Sequence, residues 1–226
     1  IVKKCNASIK THVQDVFYAA KIKKGYSLME HGLSIARAAQ VMGISRWELT
    51  EYTGKRNILN EEHEKIHVIT RMQNTFSLFE NQHKNQPNML FFDAGPLITL
   101  TLSRLLWILE PLKRIFGGTF YITNAVYNEV ITKPGSIKRF AYESLEIQKL
   151  ITDGVLTMYS KTPKTKVDNL TKNSNMLYSA SGGKWLEIIQ AGEMETVVAS
   201  QKEGSKTIVM DERTMRLLIE DCSSLK

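Results

Sequence analysis

Four short apolar runs separated by helical stretches govern what this chain can become. Met89–Phe92, Phe120–Ile122, Val155–Tyr159 and Thr207–Met210 each have a strand's length, and helical spacing fills the intervals between them. Strands held so far apart in sequence cannot close as hairpins. They pair in parallel, with crossover helices covering both faces of the sheet. The expected fold over residues 88–226 is therefore α/β, three layers deep, around a central and mainly parallel sheet.

The residues before that point read as all-helical. From Ser8 to Lys24 the apolar residues Ile9, Val13, Val16, Phe17 and Ala20 recur at helical spacing, and Gly25 is the expected stop. In "GLSIARAAQVMGISRWELTEY", Ser34 caps a short helix through Gln40, Gly43 makes a turn, and Ser45 caps a second helix through Tyr52. Ala39, Gly43 and Leu49 stand at helix-turn-helix spacing: a small contact residue, a turn glycine and a buried apolar residue. Residues 1–59 are thus expected to form a helical domain, with the helix-turn-helix at 33–52. Asn60 to Asn81 reads as a further helix with Ile66, Ile69, Met72, Phe76 and Phe79 on one stripe. The polar "ENQHKNQPN" then serves as a linker, so that 60–87 joins the two domains.

Lys and Arg outnumber Asp and Glu by 30 to 23, which favours polyanionic partners without naming one. Cys5 and Cys222 stand at opposite ends and suggest neither a zinc cluster nor a disulfide scaffold, so a reducing cytoplasm is expected. "MLFFDAGPLITLTLSRLLWIL" is apolar enough to suggest a membrane span. Asp93, Arg104 and the Gly95–Pro96 break make a strand, a turn and a buried helix the better reading, and no membrane partner is expected.

Functional groups in a parallel sheet collect at the carboxyl ends of its strands. Asp93 directly follows "MLFF" and Asp211 directly follows "TIVM". Either alone is explained as well by helix capping. Two further acidic places join them. Glu129 in "ITNAVYNEVI" lies early in a helix after a strand, and Glu193 and Glu195 in "AGEMETVVAS" open another helix. Residues two apart on a helix point to different sides, so one of that pair faces the rim while the other serves the helix N-terminus. Four carboxylates from distant segments repel one another unless a cation neutralises them or some of them stay protonated. A hard divalent ion such as Mg²⁺ or Mn²⁺ is the natural resident, able to activate water against a phosphodiester.

The segments "LFFDAGPLI", "ITNAVYNEV", "GEMETVVAS" and "IVMDERTMR" resemble, in order and separation, the PIN-domain ribonucleases over about residues 88–226. The resemblance implies a Mg²⁺- or Mn²⁺-dependent nuclease acting mostly on single-stranded RNA, in a family that includes many toxins of toxin–antitoxin pairs. By motif position Asp93, Glu129, Glu195 and Asp211 match the acidic quartet. Glu193 competes for the third place, and Glu212 for a share of the fourth. Glu in place of the commoner Asp at the third position, the long stretch before it, and "DER" at the fourth depart from the usual pattern. Thr123, Asn124, Arg213 and Arg216 are read as structural first. Ser160–Asn175, polar and carrying four lysines, is expected to be a mobile loop.

"GLSIARAAQVMGISRWEL" resembles small prokaryotic antitoxin or regulator helix-turn-helix proteins. On that reading Ser45, Arg46 and Trp47 open a recognition helix, with Lys55 and Arg56 just beyond, and the partner is DNA, another protein or a second copy in a homodimer. His63, Glu64 and His67 spell the zinc-protease pattern HExxH. They sit among Glu61, Glu62 and Lys65, and only His83 is in view as a third ligand, so a solvated helix face is the better account. The rival to a nuclease is a non-catalytic regulator whose front domain reads DNA and whose back domain binds RNA or oligomerises.

Overall fold

The computed structural model describes residues 2–57, 88–176, 188–205 and 207–220; side chains of residues 2–12, Arg56, Asn57, Arg213, Leu217 and Glu220 are not among those described. The expected helix over Asn60–Asn81, the linker and the HExxH residues lie outside these ranges. The chain forms two compact units, Ile1–Leu59 and Asn60–Lys226.

The first unit is three helices: α1 (Val2–Glu30), α2 (Ile35–Met42) and α3 (Arg46–Asn57). Gly25 does not stop α1. A Cβ there would stand in ordinary contact with Ile44 and Leu49, so the glycine keeps the helix slim where the chain beyond it approaches. The helix ends instead at Gly32, whose φ of 95° only glycine adopts readily. Ser34 caps α2 by accepting the Arg37 N–H at 3.2 Å, and Gly43, at φ 62°, closes it. Ala38, Ala39 and Leu49 form the apolar centre, with Tyr26, Met29, Leu33 and Ile44 against it.

A capping box starts α3: Ser45 Oγ accepts the Trp47 N–H, and Glu48 Oε2 accepts the Ser45 N–H at 2.9 Å. The Tyr18 hydroxyl donates to the other Glu48 oxygen and ties α1 to α3. Glu48→Ala removes both bonds together. We expect a loss of about 2 kcal/mol, read as a lower urea midpoint for the buried Trp47. An unchanged midpoint would show that neither bond stabilises the unit.

The second unit is the expected three-layer α/β domain. Its strands β1 (Met89–Phe92), β2 (Thr119–Thr123), β3 (Leu156–Tyr159) and β4 (Ile208–Val209) pair entirely in parallel, in the order β3-β2-β1-β4. β1 is thus central, with Phe92 opposite both Ile122 and Val209. Alternation sends the side chains of β1 to both faces. Phe91 stacks on Tyr121 and meets Tyr159 on one face, beneath Ala199. Phe92 meets Phe120, and Phe120 meets Phe116, on the other.

Helices α4 (Ala94–Leu102), α5 (Leu109–Phe116), α6 (Asn124–Tyr127), α7 (Ala141–Thr152), α8 (Lys164–Asn175) and α9 (Ala191–Lys202) lie between these strands, and α10 (Arg213–Glu220) follows the last. α4 ends where Arg104 takes φ 58°, a left-handed backbone held by ion pairs to Glu143 and Glu146 on α7. The apolar run therefore breaks into two helices rather than continuing as one. α6 runs into a π-helical stretch, Asn128–Thr132. Pro134 follows it. A proline has no N–H to give and its ring crowds the carbonyl four residues back; a widened turn accommodates both.

Ser160–Asn175 is a second departure from expectation, being mostly the helix α8 rather than a loop. Its apolar residues are few, but Val167 is buried with Val197, Val198, Met194 and Met215, and Leu170 packs on that cluster. The buried Asn175 fastens the far end. Its amide nitrogen donates to Ile189 O, and its Oδ1 accepts the N–H groups of Ile188 and Ile189, all at 2.8 Å. No helix among the described residues is long and apolar enough to cross a membrane.

Candidate active site

The carboxyl ends of the four strands form one rim, and the register fixes what stands along it. Asp93 follows β1 one residue beyond the Phe92–Ile122 and Phe92–Val209 pairs, so Thr123 and Met210 flank it. The Asp93 N–H donates to Val209 O at 2.9 Å, which places Asp211 on the neighbouring strand end. On the other side Thr123 pairs with Tyr159, and the Ser160 hydroxyl donates to Asn124 Oδ1 at 3.4 Å.

Asp93 is 1% exposed and stands at the N-cap of α4, yet its side chain makes no capping hydrogen bond to that helix. That removes the ordinary structural reason for an Asp at this place. Glu212 differs. It is buried and accepts the Met215 N–H at 2.6 Å, so it begins α10, while the adjacent Asp211 is exposed at the rim.

The two acids at the start of α9 take different duties. Glu193 is the N3 partner of a capping box with Gln190, its Oε2 accepting the Gln190 N–H. Glu195 reaches the helix that follows β2 instead: its Oε2 accepts the Ala125 N–H at 3.1 Å, at the start of α6. Gly192 eases this approach, since a Cβ there would already touch Ala125 Cβ at 3.4 Å. Burial pushes the Glu195 carboxyl above the usual range, against the lowering effect of the Ala125 and Asn124 N–H groups and the nearby Thr162 hydroxyl. The Thr162 oxygen is buried there without a hydrogen bond of normal geometry.

Glu129 is half-buried within the π-helical stretch, four residues after Ala125 and so on the same side of the helix. The stretch packs on α4, whose N-cap is Asp93, and α6 packs on α9, which carries Glu195. All four acids of the proposed quartet thus come from elements that touch one another. Among the described residues, however, no three acidic, histidine or cysteine side chains are gathered closely enough to form a ready-made metal site. The donor set is all carboxylate oxygen, which by chemistry suits Mg²⁺ or Mn²⁺.

In the first unit, Arg46 and Trp47 are 6% and 1% exposed, so neither is displayed to a nucleic-acid groove. Ser45 serves the start of α3. Lys55 is exposed and paired with Glu51, and the Arg56 side chain lies outside the described ones. Of Arg213 and Arg216, the second is exposed on α10 and the first has no described side chain.

A four-stranded parallel sheet sandwiched by helices, with acids at the carboxyl ends of its strands, defines a three-layer α/β domain. The chain belongs to the PIN-domain family: the family model described as a PIN domain matches residues 89–221. PIN domains are generally nucleases. No curated protein and no solved structure matches the chain.

The raised Glu195 gives a pH signature. The folded state holds this proton more tightly than the unfolded chain, so stability falls as pH rises from the unfolded carboxylate value through the raised one. Glu195→Gln carries no such cost. At neutral pH without metal its Tm should equal or exceed that of the wild type, and the gap should narrow on acidification. A neutral-pH Tm several degrees lower would contradict the burial account.

Proposed function

We propose that the second unit is a divalent-metal-dependent nuclease that hydrolyses phosphodiester bonds in single-stranded RNA. The observation that carries this reading is Asp93, a buried carboxylate at the end of the central strand that does not cap its helix, in a PIN-domain family member. Asp93, Glu129, Glu195 and Asp211 would hold the ion, and Glu193 is assigned to the capping box. When bound, Mg²⁺ or Mn²⁺ would lower the pKa of a water and offset charge on the phosphate.

The chain's own residues supply position and exclusion. Glu195 Oε2 is anchored on the Ala125 N–H, which orients the carboxylate. Thr123, fully buried, caps α6 and fixes the start of the helix that leads to Glu129. Phe91 and Phe92, at most 2% exposed, keep water out beneath Asp93.

The absence of a pre-gathered ligand cluster among the described residues favours a second reading, a PIN domain that binds RNA without cutting it. Incubation of the full chain with labelled single-stranded RNA separates the two. Cleavage that requires Mn²⁺ or Mg²⁺ and stops with EDTA supports the nuclease. A chain that binds the RNA and leaves it intact with every divalent ion is the non-catalytic form. For the first unit we propose partner contact through its helical surface rather than groove reading by Arg46 and Trp47.

A further inference from the structure

Beside the rim, on the β3 side, the surface is strongly basic. β3 ends at Tyr159, and Lys161, Lys164, Lys166 and Lys172 follow within the connection and α8, all four exposed. None of the four makes an ion pair among the described residues. Lys202, at the end of α9, joins them through its Nζ, which donates to Lys161 O at 2.6 Å. The acids nearby do little to balance this charge. α8 has no acid in its first turn and only Asp168 later, and Glu203 is turned onto the Tyr159 hydroxyl at 2.6 Å.

We infer that Lys161, Lys164, Lys166 and Lys172 of the β3–α8 segment, with Lys202, form a track that binds the phosphate backbone of a single-stranded polynucleotide. Exposed like charges along one helix and the turn before it, without acids paired to them among the described residues, attract a chain of phosphates, whose binding is driven by release of its counterions. The other exposed side chains of α8 are polar: Thr165, Asp168, Asn169 and Asn173, with Met176 only at the helix end. A helix that lies on lipid needs an apolar stripe to insert, and this face has none, so a polynucleotide fits better than a membrane. The track also adjoins the rim. Thr162, between two of the lysines, stands next to Glu195, and Ser160 bonds Asn124. The inference deepens the nuclease reading by assigning the side from which the substrate backbone arrives.

The test measures fluorescence anisotropy of a labelled oligouridylate of about 15 nucleotides with the full chain, in EDTA, between about 50 and 300 mM salt. Lys164→Gln/Lys166→Gln is compared with Arg114→Gln/Lys149→Gln, which removes equal charge near the opposite ends of the strands. At about 0.7 in slope per phosphate contact, the α8 double should flatten the log–log salt dependence by about 1.4 and weaken binding about tenfold near physiological salt. The control should stay within about twofold of wild type. Equal weakening by both doubles, no weakening by either, or no binding by the wild type overturns the track. RNA that stays uncut with Mn²⁺ while the α8 effect persists ends the nuclease reading and leaves the track standing. RNA cut normally by an α8 double that binds like wild type does the reverse.

Discussion

Asp93→Asn should lower Mn²⁺-dependent RNA cleavage by about 10³-fold while leaving the protein folded. The substitution keeps the shape of a side chain that is 1% exposed and makes no cap bond to α4. What it removes is a negative oxygen in the middle of the rim, between the strand ends that carry Asn124 and Asp211. The assay reads initial cleavage rates with Mn²⁺ beside a thermal melt of the same sample. A variant that cuts within about tenfold of the wild-type rate would sink the assignment of Asp93 to the reaction. A variant that has lost activity and unfolds many degrees lower would assign the residue to stability.

Gly118→Ala should be the most damaging small change to the second unit, at about 3 kcal/mol or more. Gly118 lies just before β2, and a Cβ there would overlap the Asn88 carbonyl oxygen and come within 2.6 Å of Asn88 Cβ and 2.7 Å of Phe116 Cε1. Two of those atoms belong to chain whose position is fixed by bonds: Asn88 O accepts the Thr119 N–H at 2.9 Å, and Asn88 Nδ2 donates to Phe116 O. The backbone must move, and the Met89–Thr119 pair that opens the β1–β2 ladder moves with it. Chemical denaturation of purified protein measures the loss. A midpoint shift under about 1 kcal/mol would show that the junction yields more easily than its geometry implies.

The sheet was legible because buried parallel strands are written as continuous apolar runs, and "MLFF", "FYI" and "TIVM" stand clear of their surroundings. Asp93 and Asp211 were legible as the residues those runs end on. The Glu193–Glu195 choice stayed open because spacing alone separates two faces without naming them. The Gln190-x-x-Glu193 pattern, a capping-box variant, was the available signal. α8 was missed because its attachment rests on Val167, Leu170 and the hydrogen bonds of Asn175, and periodicity registers only the first two. Arg46 and Trp47 looked like groove-facing residues from their place at a helix start, but burial is decided by the neighbouring elements, which local pattern does not contain.

The last strand is two residues long, and it alone joins Asp211 to the rim by sheet pairing. So short a ladder opens more readily than the β1–β2 pairing beside it, and amide exchange should begin there. Anything bridging Asp211 to Asp93 would act as a clasp, closing the end of the domain onto its middle. Its stabilising effect would then exceed what the bridging contacts contribute locally.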